Sequence, residues 1–137
     1  MRKGLLRKMN QQILDTNVLI FFLQDHPFLS ERVAQRIESP EMVSIISMAS
    51  LWEISIKSGL GKLEFAPAED SEFPSRLKAL GFDVQPMRWD AMLKTKELPQ
   101  FHRDPFDRYL VAEALLRNVP ILSTDSKLDQ YGVERIG

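Results

Sequence analysis

Acidic side chains adjoin apolar segments at four places in the sequence. Asp15 ends the run "QQILD", Asp125 follows "ILST", Glu53 is the only charge in "SIISMASLWEISI", and Asp104 and Asp107 lie just before the apolar stretch "RYLVAEALL". Hard divalent cations such as Mg²⁺ prefer oxygen ligands, commonly one or two carboxylates completed by water. Acids that converge on one pocket repel one another, and a shared cation relieves that repulsion. Such a cation also binds phosphate and lowers the pKa of a bound water, so the acids indicate metal-assisted phosphate chemistry.

Most of these acids also have a purely structural explanation as helix caps. Asp104 fits the N-cap of a helix that begins at Pro105, with Asp107 three residues after the cap. Both charges suit the positive end of the helix dipole. Asp15 and Asp125 each follow an apolar run and fit N-caps as well. Capping and metal binding therefore both remain open for the four aspartates, Asp15, Asp104, Asp107 and Asp125.

Glu53 is the acid that fits its surroundings least well. Its neighbours are Leu51, Trp52 and Ile54, so the helix that carries it is predicted to be largely buried. An unpaired buried carboxylate is costly unless neighbouring acids share a cation with it. The alternative is a surface pair with Lys57, four residues further along the helix.

The elements that must position these acids alternate between strand and helix. Strands are predicted in "QQILDT", "EMVSII", "DVQPM", "VPILST" and "VERI", and helices in "NVLIFFLQD", "LSERVAQRIES", "SMASLWEISIKSG", "FPSRLKALGF", "RWDAMLKTKEL", Pro105 to Arg117 and "DSKLDQYG". This alternation predicts a parallel sheet covered on both faces, with ligands beyond the carboxyl ends of its strands. Asp15 and Asp125 follow strands directly. Asp104 and Asp107 open a helix, and only tertiary packing can bring them to the same edge.

Composition restricts the kind of metal site. The 137 residues, 44% hydrophobic and 27% charged, predict one globular domain over residues 1–137. The chain has no cysteine, which excludes disulfides and thiolate ligands, and its two histidines disfavour a histidine-rich zinc centre. Carboxylates must therefore do most of any metal binding.

The charge balance is close to neutral, with a net charge of −1 and a pI of about 6.1. Nucleic-acid-binding domains are usually more basic, although an acidic metal pocket lowers the total. Residues 1–9, "MRKGLLRKM", carry four of the 18 Lys and Arg residues and are interpreted as a basic arm or as an over-long start before Met9. The sequence has neither a signal-peptide apolar region nor a membrane-spanning run, which predicts a cytoplasmic protein without membrane contact.

Several stretches together resemble one nuclease family. "ILDTNVLIFFL", "SMASLWEISIKSGLGKLEF", "LPQFHRDPFDRYLVAEAL" and "ILSTDSKLDQYGV" are similar to the PIN-domain ribonucleases, and most similar to the VapC-type toxins of bacterial toxin–antitoxin pairs. The resemblance runs from about Ile13 to Ile136 with motif order and spacing intact. "SLWEI.IK" and "HRDPFDR" are specific to one subgroup, whereas "LDTN" alone is a weak motif. The resemblance implies a PIN-like three-layer α/β/α sandwich with a mostly parallel central sheet.

The resemblance also implies a set of catalytic metal ligands. Carried over to this sequence, the acids that surround Mg²⁺ or Mn²⁺ are Asp15, Glu53, Asp107 and Asp125. Asp107 rather than Asp104 matches the third acid, because it immediately precedes "RYLVAEA". The implied reaction is metal-assisted hydrolysis of RNA phosphodiester bonds.

Supporting residues follow from the same motifs. Thr16 and Asn17 are expected to orient Asp15, although many relatives have His where this chain has Asn17. Asp104 is expected to cap its helix and to assist from outside the ligand set.

Three basic side chains are candidates to grip RNA phosphate, namely His102, Arg103 and Arg108. The alternative for them is a solvated surface or a salt bridge to Asp104.

The resemblance implies an RNA substrate, a cognate antitoxin and a homodimer, and the apolar excess in "VLIFFL" and "SLWEISI" is typical of an interface.

The alternatives are a housekeeping PIN nuclease and a non-catalytic PIN module that binds RNA or protein. An aspartate-nucleophile phosphatase needs a second Asp two residues after Asp15, where Asn17 stands. Ile56 and Leu63 exclude a phosphate loop in "GLGKLEF".

Overall fold

Five short strands form a parallel sheet in this computed structural model, which describes residues 10–137. The strands are β1 (Gln11–Leu14), β2 (Val43–Ser47), β3 (Asp83–Gln85), β4 (Ile121–Leu122) and β5 (Arg135–Ile136). Their order in the sheet is β3-β2-β1-β4-β5, and every neighbouring pair is parallel. The predicted parallel sheet is therefore confirmed, with β1 at its centre.

Within residues 10–137, six α-helices connect and cover the strands. They are α1 (Thr16–Leu23), α2 (Glu31–Glu38), α3 (Met48–Gly59), α4 (Phe73–Ala79), α5 (Trp89–Lys94) and α6 (Pro105–Arg117). Short 3-10 helices occupy Ala66–Glu69, Thr95–Glu97 and Ser126–Tyr131. Each predicted helix is present, and the segment "DSKLDQYG" is a 3-10 helix rather than an α-helix.

Two apolar cores lie on opposite faces of the sheet. Ile13 and Ile45 pack in one core, mainly with α6, and their neighbours Leu14 and Ile46 pack in the other with α1, α3 and α4. Successive side chains of a strand point to opposite faces, so strands buried on both sides have continuous apolar sequences. This arrangement is the three-layer α/β/α sandwich that the sequence predicted.

Side-chain caps define where the helices of the site begin. The Ser47 hydroxyl accepts a hydrogen bond from the backbone N–H of Ala49 at 3.0 Å and caps α3. The Asp104 carboxylate accepts one from the N–H of Phe106 at 2.8 Å and caps α6, with Pro105 as the first helical residue. Each cap satisfies a backbone donor that has no partner within the helix. The predicted capping role of Asp104 is confirmed.

Helix α6 also carries a buried ion pair. Glu113 has no exposed surface, and its Oε1 accepts a hydrogen bond from Nε of Arg117 at 2.9 Å. Oε2 of Glu113 has no partner in the described part of the chain. An uncompensated buried charge is costly, so the burial of the Glu113 carboxylate requires its ion pair with Arg117.

Within residues 10–137, no helix has the length and apolar character needed to span a bilayer. The two interpretations of residues 1–9, a basic arm or an over-long start, lie outside the described residues.

Candidate active site

The ends of the two central strands bring Asp15 and Asp125 together. Leu14 of β1 is paired with Leu122 of β4, so the residues that follow both strands emerge at the same edge of the sheet. The Ser123 hydroxyl donates to Oδ2 of Asp15 at 2.6 Å and accepts from the backbone N–H of Asp125 at 3.0 Å. Ser123 therefore joins the two predicted ligands, as expected for the carboxyl edge of a parallel sheet.

Glu53 reaches the same edge from α3, which begins directly after β2. Its side chain is buried, and Oε1 accepts a hydrogen bond from the Thr16 hydroxyl at 2.6 Å. Oγ of Ser50 lies 3.0 Å from the same Thr16 hydroxyl. The ammonium of Lys57 binds Oε2, so the predicted pair with Lys57 is present. Glu53 nevertheless lies inside the protein rather than on a solvated helix face.

Asp107 lies in the first turn of α6 and is half-buried. Its carboxylate makes neither a hydrogen bond nor an ion pair with any of residues 10–137. Burial, together with the negative charges of Asp15, Asp104 and Glu53, raises its pKa from 3.8 to about 7. This sensitivity to three acids indicates that tertiary packing has brought Asp107 to the same pocket.

An aromatic contact holds the beginning of α6 against α3. The rings of Trp52 and Phe106 meet edge to face, with their centroids 5.4 Å apart. Phe106 directly precedes Asp107, and Trp52 directly precedes Glu53. The contact therefore fixes the two helices close to the residues that carry these acids.

The acids at the strand ends differ in their proton affinity. Burial raises the pKa of Asp15, and the nearby charges of Glu53 and Asp125 act in the same direction, against the hydrogen bonds from Ser123 and the N–H of Thr16. Partial burial also acts to raise the pKa of Asp125. Hydrogen bonds from His102 and from the backbone N–H of Lys127 outweigh it and leave the pKa lowered.

The donor set fits a hard divalent cation in its chemistry. All four predicted ligands offer carboxylate oxygens, and Asp107 has both oxygens free of partners within residues 10–137. Across the described residues, however, no three His, Cys, Asp or Glu side chains stand ready to hold a metal ion together. Lys57 holds Glu53, and His102 holds Asp125. Binding of a cation therefore requires some of these side chains to turn towards one another.

His102 is placed behind Asp125 rather than on an open surface. Its Nε2 lies 2.7 Å from Oδ2 of Asp125, and its Nδ1 lies 2.8 Å from the Tyr131 hydroxyl. The rings of His102 and Tyr131 also stack, with centroids 5.5 Å apart. In this arrangement His102 orients a predicted ligand and is not free to grip phosphate.

The two arginines predicted to bind phosphate have different positions. Arg108 is buried, and its guanidinium donates to the carbonyls of Pro99 at 2.8 Å, Thr95 at 2.7 Å and Leu98 at 3.2 Å. The prediction of phosphate binding by Arg108 needs correction, because these carbonyls of the 95–99 segment already take up its donors. Arg103 is exposed, and within residues 10–137 it forms no ion pair.

The two residues expected to orient Asp15 also separate. The backbone N–H of Thr16 donates to Oδ1 of Asp15 at 2.8 Å, and its hydroxyl orients Glu53 instead. Asn17 is exposed and makes no hydrogen bond to Asp15, so the structure does not support an orienting role for it.

Sequence reasoning missed Ser123, Ser50 and Tyr131, which support the acids from behind. Ser123 had a usable signal, because it follows β4 and comes two residues before Asp125. Nothing in the local sequence identifies Tyr131 as a partner of His102, since 29 residues separate them.

A parallel sheet between two helical layers, with acids at the carboxyl ends of its strands, defines a class of small α/β proteins. The chain belongs to the PIN-domain family within this class, because the family model of the PIN domain matches residues 13–134. The membership confirms the resemblance and supports a nuclease role. A comparison with curated protein sequences gives no match.

Solved structures with the same fold include components of toxin–antitoxin complexes. VapBC2 from Rickettsia felis, bound to a DNA fragment from its promoter, aligns with a TM-score of 0.65 and 15% identity over 92% of this chain and 97% of that chain. A toxin–antitoxin complex from Klebsiella pneumoniae aligns with a TM-score of 0.60 and 17% identity over 92% and 96%. FitAcB from Neisseria gonorrhoeae aligns with a TM-score of 0.61 and 17% identity over the same shares. At these identities the similarity shows the shared fold.

Proposed function

We propose that this protein is a Mg²⁺-dependent endoribonuclease, also active with Mn²⁺, that acts as the toxin of a toxin–antitoxin pair. The observation that carries the proposal is the convergence of acids from separate elements: Thr16 donates hydrogen bonds to both Asp15 and Glu53, and the charges of these two acids add to burial in raising the pKa of Asp107. The fourth acid, Asp125, is tied to Asp15 through Ser123. Membership in the PIN family and the toxin–antitoxin complexes among the structural neighbours support the same function.

Each acid of the proposed site has a distinct task. Asp15 and Asp125 are held by Ser123 and present fixed oxygens at the strand ends. Glu53 is aimed by Thr16. The pKa of Asp107 is raised to about 7, so a divalent cation held by this carboxylate would favour its ionised form. When bound, a divalent cation would supply charge neutralisation at the phosphate and a more acidic water.

Contact with RNA phosphate requires a basic side chain in addition to the metal ligands. Arg103 is exposed in the segment that precedes α6, so it is the arginine of this segment that remains available for phosphate. Arg108 is committed to backbone carbonyls, and His102 to Asp125. We therefore assign phosphate contact to Arg103 and an orienting role to His102.

The partner assignment draws on an apolar stripe along α3 and its C-cap residue, Leu60. Met48, Trp52, Ile56 and Leu60 follow one another at four-residue spacing, and Trp52 and Leu60 are 56% and 64% exposed. Residues at this spacing share one helix face, and contiguous exposed apolar surface marks interaction sites. We assign this face to a homodimer contact. The antitoxin then reaches the acidic pocket itself, where an Arg or Lys of the antitoxin satisfies the carboxylates.

Cleavage of a fluorogenic RNA by the purified protein tests the enzymatic part. We expect activity with Mg²⁺ or Mn²⁺, loss in EDTA, and a loss of at least about a hundredfold in Asp107→Asn or Asp15→Asn. Asp25→Asn is the matched control, because it makes the same charge change at an exposed turn after α1. Full activity in the two site variants would refute the assignment, and RNA binding without cleavage by the wild type would favour a non-catalytic module.

Expression in bacteria tests the biological role. The wild-type chain alone should arrest growth, Asp107→Asn should not, and co-expression with a small adjacent antitoxin gene should restore growth. An active nuclease that leaves growth unaffected would indicate a housekeeping enzyme. Sequencing of RNA ends after brief induction would identify the target.

A further inference from the structure

Lys57 is in direct contact with Glu53, one of the predicted metal ligands. Its ammonium binds Oε2 of Glu53 and lies 3.9 Å from Oδ2 of Asp104. The charge of Asp107 acts on Lys57 as well. Lys57 follows Glu53 by one helical turn of α3, and 42% of its side chain is exposed. The ammonium therefore occupies the rim of the acidic pocket.

No other Lys or Arg within residues 10–137 forms an ion pair with Asp15, Glu53, Asp107 or Asp125. Both carboxylate oxygens of Glu53 already have a partner, since Thr16 donates to Oε1 and Lys57 binds Oε2. A divalent cation at Oε2 of Glu53 would be repelled by the ammonium of Lys57, so the two cations compete for this oxygen.

We propose that Lys57 is a built-in counter-ion that takes the place of the divalent cation in the metal-free protein and competes with that cation for Glu53. The proposal rests on the metal site of the proposed function. Lys57 neutralises part of the repulsion among the acids, so the domain keeps its fold without metal. When a divalent cation binds, Lys57 gives up Glu53 and remains near Asp104 at the rim.

The proposal makes two physical consequences inseparable. Removal of the ammonium leaves the buried carboxylate of Glu53 without its counter-charge, which destabilises the metal-free protein. The same removal makes the pocket more negative and frees Oε2, which strengthens the binding of a divalent cation. A simple helix-surface pair of Lys and Glu would produce neither effect to a measurable degree.

Direct Mn²⁺ titration with thermal unfolding tests the proposal. Wild type, Lys57→Gln, Lys57→Arg and the control Lys78→Gln are stripped of metal with chelator, and each is titrated with Mn²⁺ by calorimetry. Lys57→Gln should bind Mn²⁺ roughly five- to tenfold more tightly than wild type and melt at a lower temperature in chelator. Lys57→Arg keeps the charge, and Lys78 is an exposed residue of α4, so both variants should stay close to wild type.

An Mn²⁺ affinity in Lys57→Gln that equals wild type or falls below it would overturn the competition, as would absence of Mn²⁺ binding in every variant. The titration contains no RNA and so separates the inference from the nuclease assignment. Tighter Mn²⁺ binding in Lys57→Gln by a protein that cuts no RNA would support the counter-ion and refute the nuclease. Unchanged Mn²⁺ binding in Lys57→Gln, in a protein that cuts RNA, would refute the counter-ion and support the nuclease.

Discussion

Replacement of Asp107 by Asn should stabilise the metal-free protein at neutral and alkaline pH. In the folded chain, burial and three neighbouring acids raise the pKa of Asp107 to about 7, so its ionised form is disfavoured. Asn has nearly the same shape and carries no charge. The variant therefore removes a repulsion that the wild type relieves only by protonation or by binding a cation.

The size of the effect follows from the pKa. A rise from 3.8 to about 7 corresponds to about 4 kcal/mol between the two protonation states. The carboxylate is only half-buried, and screening by water reduces the expected gain to on the order of 2 kcal/mol. For a domain of this size, such a gain raises the melting temperature by about 8 °C.

The pH dependence distinguishes this cause from a general packing effect. A raised folded-state pKa means that the contribution of Asp107 to stability is fully present below pH 3.8 and is lost as the pH rises through about 7. The difference in free energy of unfolding between Asp107→Asn and wild type should thus be near zero at pH 4 and grow towards pH 8. Urea unfolding in EDTA at several pH values measures it.

Two controls make the measurement decisive. Asp25→Asn should show no such pH-dependent gain, because Asp25 lies on an exposed turn. Addition of Mg²⁺ should stabilise wild type more than Asp107→Asn, because the cation supplies the neutralisation that Asn makes unnecessary. A variant that is less stable than wild type at pH 8, or equally offset at all pH values, would refute the reasoning.

Five further variants test the supporting structure. Asp104→Asn should keep the cap of α6, whereas Asp104→Ala should lower the free energy of unfolding in urea by about 1 kcal/mol. Asp104→Ala should also retain more RNA cleavage than Asp107→Ala. Arg108→Ala should lower the free energy of unfolding by about 2 to 3 kcal/mol, because several carbonyls lose a charged donor, and Arg103→Ala should leave it unchanged. Glu113→Ala should cost about 3 kcal/mol by leaving Arg117 unpaired, and a loss below about 1 kcal/mol would contradict the buried pair.

The local sequence determined the order of strands and helices, and for α6 it also determined both ends. The cap at Asp104, the proline that follows it and the apolar run of α6 act within a few residues of one another, and they fixed that helix at its predicted bounds. The alternation of apolar strands with helices likewise determined a parallel sheet with both faces buried. These features are predictable because hydrogen bonds and side-chain periodicity within one element encode them.

The carboxyl edge of the sheet was predictable for Asp15 and Asp125, since strand ends meet there by the rule for parallel sheets. Glu53 was identified because it is a charged residue in an apolar helix. In the structure, Thr16 and Lys57 bind its buried carboxylate. The resemblance to the PIN family selected Asp107 over Asp104.

Only the tertiary structure decided which neighbours are contacted by the side chains of α6 and of the segment that precedes it. Arg103 and Arg108 have the same chemistry in the sequence, yet one is exposed and the other is buried against backbone carbonyls. Glu113 has no signal of burial, and His102 meets Tyr131 across 29 residues of chain. The orientation of α6 is set by its packing against the sheet and against α3 and α5. That packing depends on residues far away in sequence, so no local pattern could specify it.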